Sequence, residues 1–406
     1  MEIDIRGFDG EPRQFLEAAE VAFGDRIRDE DVPDWAATFE ADRAVAAYDG
    51  DRIVGTAGIL SFDLTIPGGI APSAGVTIVG VHPTHRRRGI LSRMMRRQLD
   101  AIHESGEATA ILWASEGGIY QRFGYGMATT ATRFEVERHR SQLRAPRDPV
   151  GRIRFVELDE AKRLLPPIHD ALAPDRPGFF SRTPAFWDAE VFRDPERWRR
   201  GASEAFYVVH ETDGRTDGYA RYRIREQWGD SGPGSSVIVT DKQALDPAAD
   251  LDLWQFLLGI DLMAKLEAWN VAPDDPLILN ILEPRRLGIG AGDGAWLRVV
   301  DLAAALAQRG YAGDGRLVLE VRDEFCPWNA GRWALDVEGG VGRTEATDEA
   351  PELALDTTDL GAAYLGGFTF RQLADAARVA ELEPGSLARA DALFRTARPP
   401  WCPRVF

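Results

Sequence analysis

The chain has 406 residues, of which 44% are hydrophobic and 28% charged, and a formal net charge of −17. That length exceeds what one hydrophobic core supports, so the reading starts from three domains, and the composition excludes a disordered or fibrous protein. The acidic balance excludes general affinity for nucleic acid or anionic lipid, which need basic stripes, and suits a cationic small molecule instead.

The N-terminal "MEIDIRGFDG" has neither the basic nor the apolar region of a secretion signal, and no window of about eighteen consecutive apolar residues occurs. A cytoplasmic protein with no membrane partner is expected. Cys326 and Cys402 are too few for a disulfide framework and too far apart for a zinc knuckle, so no metal site is expected either.

In chain order, apolar residues around Phe15 to Phe23 predict a helix, and "RAVAAYDGDRIVGTAGILSFDLTI" predicts a hairpin turning at Asp49-Gly50. "GVTIVGV" reads as a buried strand. Leu91, Met94, Met95, Leu99 and Ile102 then keep helical spacing up to Gly106, and "ATAILWA" follows as another strand. The first unit spans 1–148, with "RAPRDPVG" as linker.

The second unit, 149–292, repeats that order. It predicts a helix around Leu164 to Leu172, a strand, Asp-Gly turn and strand in "AFYVVHETDGRTDGYARYRI", a strand at Val237 to Thr240 and a helix at Leu251 to Leu266, which suggests an internal duplication. Where the first copy carries arginines and glycine the second carries "DKQALDPAAD", so it should bind no anion there. The stretch "GIGAGDG" lacks the spacing of a dinucleotide site and reads as a linker. The third unit, 293–406, predicts a helix at Leu302 to Arg309, strands around Leu317 to Val321 and Trp333 to Val337, and helices after Leu360, Gln372 and Ser386. Its tail, "TARPPWCPRVF", has three prolines that forbid a helix and stiffen it as an extended arm.

In "VTIVGVHPTHRRRGILSRMM" a strand runs through Arg86, Arg87, Arg88 and Gly89 into a helix. The first turn of a helix offers unpaired N–H groups and the positive end of its dipole, which suits a phosphate. Gly89 removes a side chain so that a ligand approaches the backbone, and the arginines add charge-assisted bonds. Three arginines capping a solvated helix start is the plainer alternative. His82 and His85, next to three cations, are read as shaping the loop rather than as bases.

The spacing of Arg86, Gly89 and Leu91 resembles the acyl-coenzyme A signature of the GNAT acetyltransferase superfamily, with Leu91 in place of its final small residue. "VGVHPTHRRRGIL" together with "ASEGGIYQRFGYGMATT" resembles more closely the Eis (enhanced intracellular survival) group, which carries leucine there. This resemblance implies an α/β (α+β) fold: two GNAT-type domains in tandem, the second degenerate, and a C-terminal sterol-carrier-protein-like α+β domain. It also implies an acetyl-CoA-dependent N-acetyltransferase acting on a primary amine (aminoglycoside, polyamine or lysine-like) in a ternary complex, and a homo-oligomer, a hexamer.

Carried residue by residue, the resemblance puts pantetheine against Val79, Gly80 and Val81. The pyrophosphate lies over Arg86, Arg87, Arg88, Gly89, Ile90, Leu91 and Ser92, with Ser115 and Glu116 at the thioester end. Tyr120 is the implied general acid, its ordinary pKa of about 10 being close to the thiol's of about 8.5. The implied base is the α-carboxylate of Phe406, a weak base at about 3.5 unless desolvation or a relaying water helps it. Phe23, Asp25 and Trp35 match the amine site, where aromatic walls favour cations. Tyr125 is assigned to packing and Cys402 to a structural thiol. A non-catalytic acyl-CoA or lipid-binding sensor is the alternative function.

Overall fold

A computed structural model describes residues 3–144, 147–229 and 232–406. The expected linker lies partly outside them, at Ala145 and Pro146. No helix among the described residues is long and apolar enough to cross a membrane.

The chain opens with β1 (Asp4–Gly7), α1 (Pro12–Phe23), α2 (Val32–Thr38) and the antiparallel meander β2 (Val45–Asp49), β3 (Arg52–Ile66) and β4 (Gly69–Val81). Helix α1 starts on a proline, buries Phe15, Leu16, Ala18, Ala19 and Ala22, and stops at Gly24, whose left-handed backbone lets its N–H cap the last turn. Helix α3 (Ile90–Glu104) crosses to β5 (Thr109–Trp113), parallel to β4, and α4 (Gly117–Tyr120) leads into β6 (Tyr125–Met127). The stripe Met94, Met95, Leu99 and Ile102 faces the sheet while Arg93 and Arg97 face water.

The chain then leaves this sheet. Strand β7 (Thr130–Glu137) precedes β8 (Arg152–Val156), α5 (Leu158–Leu172), α6 (Pro184–Phe186), which continues as a π-helical turn over Trp187–Phe192, and α7 (Glu196–Arg199). Next come β9 (Phe206–Thr212), β10 (Arg215–Arg225), the two-residue strands β11 (Trp228–Gly229) and β12 (Gly232–Pro233), β13 (Ser235–Ala244), α8 (Pro247–Gly259), β14 (Met263–Val271), α9 (Leu277–Asn280) and β15 (Gly290–Asp293).

Two expectations are corrected here. The helix predicted over Leu251 to Leu266 ends at Gly259, and Leu262 adopts a left-handed backbone (φ 64°) that turns the chain into β14. The stretch read as a linker contains β15, an edge strand on β7.

The two units exchange strands. The first sheet runs β1-β2-β3-β4-β5-β16-β6, its sixth strand being β16 (Ala295–Val299), which closes the second unit; the second runs β15-β7-β14-β13-β10-β9-β8 and takes β7 from the first. Strand β16 pairs antiparallel with both β5 and β6, and β7 with both β14 and β15. The internal duplication is thus visible as two equivalent sheets, each completed by the other's strand.

The third unit continues with α10 (Leu302–Gln308), β17 (Gly315–Arg322), β18 (Gly331–Glu338), β19 (Val341–Ala346), β20 (Leu353–Asp356), α11 (Thr357–Tyr364), α12 (Phe370–Asp375), β21 (Ala380–Glu381) and α13 (Ser386–Phe394). Its sheet runs β19-β18-β17-β20-β21. Helix α11 lies directly on β6 and β16: a Cβ at Gly126 would fall 1.9 Å from the Thr358 carbonyl oxygen, so only glycine permits the approach. One buried cluster joins Phe62 and Ile111 of the first sheet, Phe180 and Phe186 of the second unit, and Leu319, Leu360 and Cys402 of the third.

Strand β16 also carries the buried cation of this joint. Arg298 donates to Thr357 Oγ1 and Asp323 Oδ2, both at 2.6 Å. Arg298→Met leaves the Asp323 carboxylate buried without its cation and is expected to cost about 3–5 kcal/mol. Urea unfolding at an earlier midpoint is the readout; an unshifted midpoint would show that the pair adds nothing to the joint.

Candidate active site

The site begins with a fault in β4. Opposite Thr56 to Gly58 of β3 the register shifts, Ile78 takes a left-handed backbone (φ 46°), and the Thr56 hydroxyl donates to the Ile78 carbonyl at 2.9 Å. Parallel pairing with β5 is confined to Ser73–Gly75 against Thr109–Ile111. Beyond that the strands part, leaving the backbone of Val79, Gly80 and Val81 without a strand partner on that side among the described residues. Gly80 lets α1 come close, since a Cβ there would meet the Ala22 Cβ at 2.7 Å.

The loop after β4 is held by its histidines. His82 is buried with Nε2 3.1 Å from the Ala18 carbonyl oxygen, and burial lowers its pKa; His85 Nε2 lies 3.1 Å from Asp49 Oδ2. The three arginines divide the work. Arg86 donates to the carbonyls of Val81 (3.2 Å) and Ala22 (3.0 Å), fastening the loop to the end of α1. Arg87 and Arg88 are exposed and form no ion pair among the described residues. Gly89 is left-handed (φ 73°) with open space where a Cβ would stand, and no side chain caps the start of α3. Ile90 is buried in the core, so it offers the loop only its amide; Leu91 and Ser92 are half-buried.

A cleft of about 1300 Å³ opens from the parted strands. Val79, Ser115, Tyr120, Phe23, Trp35 and Phe406 line it. Glu116 flanks the start of α4 outside the lining, and no side chain caps that helix. Tyr120 is 6% exposed, and burial pushes its pKa up to about 12. Tyr125, edge-on to it at 5.9 Å, is fully buried and serves packing. Phe23 is 53% exposed and Trp35 half-buried, so both face the cleft rather than a core. Asp25 is exposed and outside the lining, where its carboxylate accepts the Arg26 amide at 2.8 Å; its charge is felt by Glu20, which does line the cleft.

The opposite wall belongs to the second unit and was missed in the sequence. Parallel pairing of β13 with β14 stops at Val239 and Ala268, as that of β4 with β5 does, and the strand runs on through Thr240, Asp241 and Lys242 into the cleft. The acidic "DKQALDPAAD" is therefore wall, with Asp241, Asp246 and Asp250 joined by Asp274, Asp275 and Glu190. Lys242 is tied to Asp250 and lies 3.6 Å from Asp275. The only signal available was the repeat itself, which places this stretch where the first unit has its loop.

The tail closes the cleft between the two faults. The Trp401 amide donates to the Pro177 carbonyl at 2.9 Å, and Asn270 at the end of β14 both donates to the Cys402 carbonyl (2.9 Å) and accepts from the Trp401 indole (3.0 Å). From the first unit, the Trp113 indole donates to Cys402 Sγ at 3.3 Å. Burial pushes that thiol up to about 11, which suits a structural role. The Phe406 ring meets Phe62 at 4.8 Å and Phe180 at 5.2 Å, both edge-on.

Two acetyltransferase-like sheets, each opening at one strand pair, and an attached α+β unit define a GNAT-type architecture. Residues 7–128 and 178–299 each match the family model of an acetyltransferase (GNAT) domain, and residues 302–403 that of a sterol carrier protein domain. The chain is 44% identical over 375 residues to an uncharacterized N-acetyltransferase of Streptomyces avermitilis, covering 92% of this chain and 91% of that one. It is 36% identical over 402 residues to the N-acetyltransferase Eis of Mycobacterium tuberculosis, covering 96% and 95%. The crystal structure of Eis1 from Mycobacterium abscessus superposes with a TM-score of 0.85 at 32% identity, over 99% of this chain and 100% of that one. The chain belongs to the Eis family of GNAT N-acetyltransferases, and it is an acetyl-CoA-dependent enzyme of that class.

Asn270 holds the tail in a left-handed conformation (φ 55°) that asparagine tolerates better than alanine. Asn270→Ala is expected to cost about 1–3 kcal/mol by stranding the Trp401 indole and the Cys402 carbonyl. Hydrogen exchange over the tail should rise selectively; unchanged protection there would show that the arm is held without it.

Proposed function

We propose that the chain moves an acetyl group from acetyl-CoA to a primary amine of a small cationic acceptor, an aminoglycoside, polyamine or lysine-like group, by direct attack in a ternary complex. The observation that carries this reading is the single cleft shared by the open edge of β4, Tyr120, Phe406 and a wall of carboxylates.

The residues present fit the donor. The unpaired backbone of Val79, Gly80 and Val81 suits the two amides of pantetheine as an added strand would. Over Arg86 to Ser92 the diphosphate meets an uncapped helix start, the open space at Gly89 and the two uncommitted guanidinium groups of Arg87 and Arg88. Ser115 and Glu116 stand towards the thioester end. Acetyl-CoA supplies an activated carbonyl and a thiol leaving group.

Tyr120, its pKa raised by burial, holds its proton until sulfur needs it. The departing thiolate is desolvated in the same cleft, so its affinity for a proton rises as well and the transfer stays feasible. Phe23 and Trp35 offer aromatic faces to the cationic acceptor, with Asp25 adding negative charge at the mouth. The α-carboxylate of Phe406, its ring anchored against Phe62 and Phe180, receives a proton from the reacting nitrogen. The family resemblance extends the reading to a cytoplasmic homo-oligomer, a hexamer.

Purified protein incubated with acetyl-CoA and 1,5-diaminopentane, spermidine, an aminoglycoside or a lysine peptide should release thiol with at least one of them. Tight coenzyme binding without thiol release would favour a sensor. Tyr120→Phe should lower kcat by roughly 10²-fold, and removal of Phe406 should abolish turnover while coenzyme affinity holds. Full activity in either variant would refute its assignment. Exchanging Arg87 and Arg88 together for alanine should raise the Kd for coenzyme A and flatten its salt dependence; an unchanged Kd would remove the diphosphate from this loop.

A further inference from the structure

Between Trp35 and Phe406 the cleft reaches a smaller pocket of about 60 Å³, bounded by Ile59, Leu60, Ile78 and Phe186, and Glu190 lines both spaces. Glu190 stands in the π-helical turn, where Trp187, Ala189, Val191 and Phe192 are all buried and Asp188 pairs outward with Lys162 at 2.7 Å. The wider π turn changes the direction of successive side chains and is frequent at functional sites. Here it leaves one carboxylate facing the cleft.

That carboxylate has no hydrogen bond or ion pair among the described residues. Burial is the largest influence on it and raises its pKa; Arg404 of the tail and Arg193 just past the turn oppose the rise, and Asp34 of α2 adds to it. Arg193 is itself committed to Asp31 and Asp34. Phe406 lines the same pocket.

The chemistry of the proposed reaction needs such a group. An alkylamine with an ordinary pKa near ~10 enters as ammonium. Its nitrogen gives up two protons in all, one to become a nucleophile and one as the C–N bond forms and it becomes an amide. The C–S bond breaks and sulfur takes one proton, from Tyr120, which is later restored. One of the two protons from nitrogen replaces the one Tyr120 gave and the other passes to solvent; because they leave at different stages, a second acceptor beside the terminal carboxylate lets the ammonium be neutralised before attack.

We propose that Glu190 is that second acceptor: its carboxylate takes the first proton from the bound ammonium, and the adjoining apolar pocket receives the methylenes next to the nitrogen. This rests on the acetyl transfer to an amine proposed above. A carboxyl whose pKa is raised by burial accepts an ammonium proton more readily than an exposed one, and a dry pocket weakens the ammonium itself.

The test is kcat/KM between about pH 6.5 and about pH 9.5, followed by thiol release with the best amine of the four, for wild type, Glu190→Gln and Glu190→Asp. Wild type should be flat above neutrality. Glu190→Gln should fall about 100-fold at pH 7 and climb about tenfold per pH unit towards wild type, because it must wait for free amine. Glu190→Asp should keep part of the plateau, and the Kd for acetyl-CoA should be the same in all three. A loss of equal size at every pH, no loss, or a wild-type profile that itself climbs tenfold per unit would overturn the assignment, the last even if both variants fail to fold. Absence of thiol release by wild type with every amine would instead overturn the reading beneath; turnover abolished in Tyr120→Phe but intact in Glu190→Gln would sink this inference alone.

Discussion

A strand carried by each acetyltransferase-like unit into the sheet of the other fixes the two units face to face. Because β16 borders β5 while β7 borders β14, the ends of β5 and β14 come together, with the Trp113 and Trp269 rings 5.8 Å apart. Each of these strands is half of a parallel pair that parts after a few residues. Two openings that would have been separate grooves on separate domains thereby become opposite walls of one cleft. The tail then threads between them, and its grip by Trp113 from one unit and Asn270 from the other has meaning only because the exchange brings those residues together.

The division of labour between the walls follows from what each unit keeps. The first retains glycines and arginines after its open strand; the second has Asp241, Lys242 and a run of carboxylates at the equivalent place. The chain's acidic excess is thus not spread evenly over the surface but includes a share turned into the cleft. Burial raises Tyr120 and Glu190 alike, which keeps the phenol a proton donor and makes the carboxylate a readier acceptor than an exposed one.

Much of this was legible in the residues. The period of α3, the turn at Asp49-Gly50, the buried strands flanking the arginine loop and the proline-stiffened tail all follow from local chemistry. The repeat was visible in element order. The strand exchange was not, since pairing between β5 and β16 depends on surfaces that meet only after both units have formed. Local pattern also failed at Leu251 to Leu266, where leucines suited to a helix continue past Gly259 into β14. At the site, the aromatic wall and Tyr120 were recognisable from the family's motif, whereas Glu190 lies in a π turn whose period matches neither template. Arg86 illustrates a different limit: its place in the motif was plain, but its commitment to two backbone carbonyls required the fold.

The exchange has a consequence for the order in which the protein can be made. Synthesis proceeds from the N-terminus, so the edge of β5 emerges long before β16 exists to cover it, and for the interval in which the second unit is being built the first sheet exposes an unpaired border. Strand β7, by contrast, is already waiting when β14 appears. The first unit is therefore obliged to persist half-finished on the ribosome, and its maturation is paced by the completion of its neighbour.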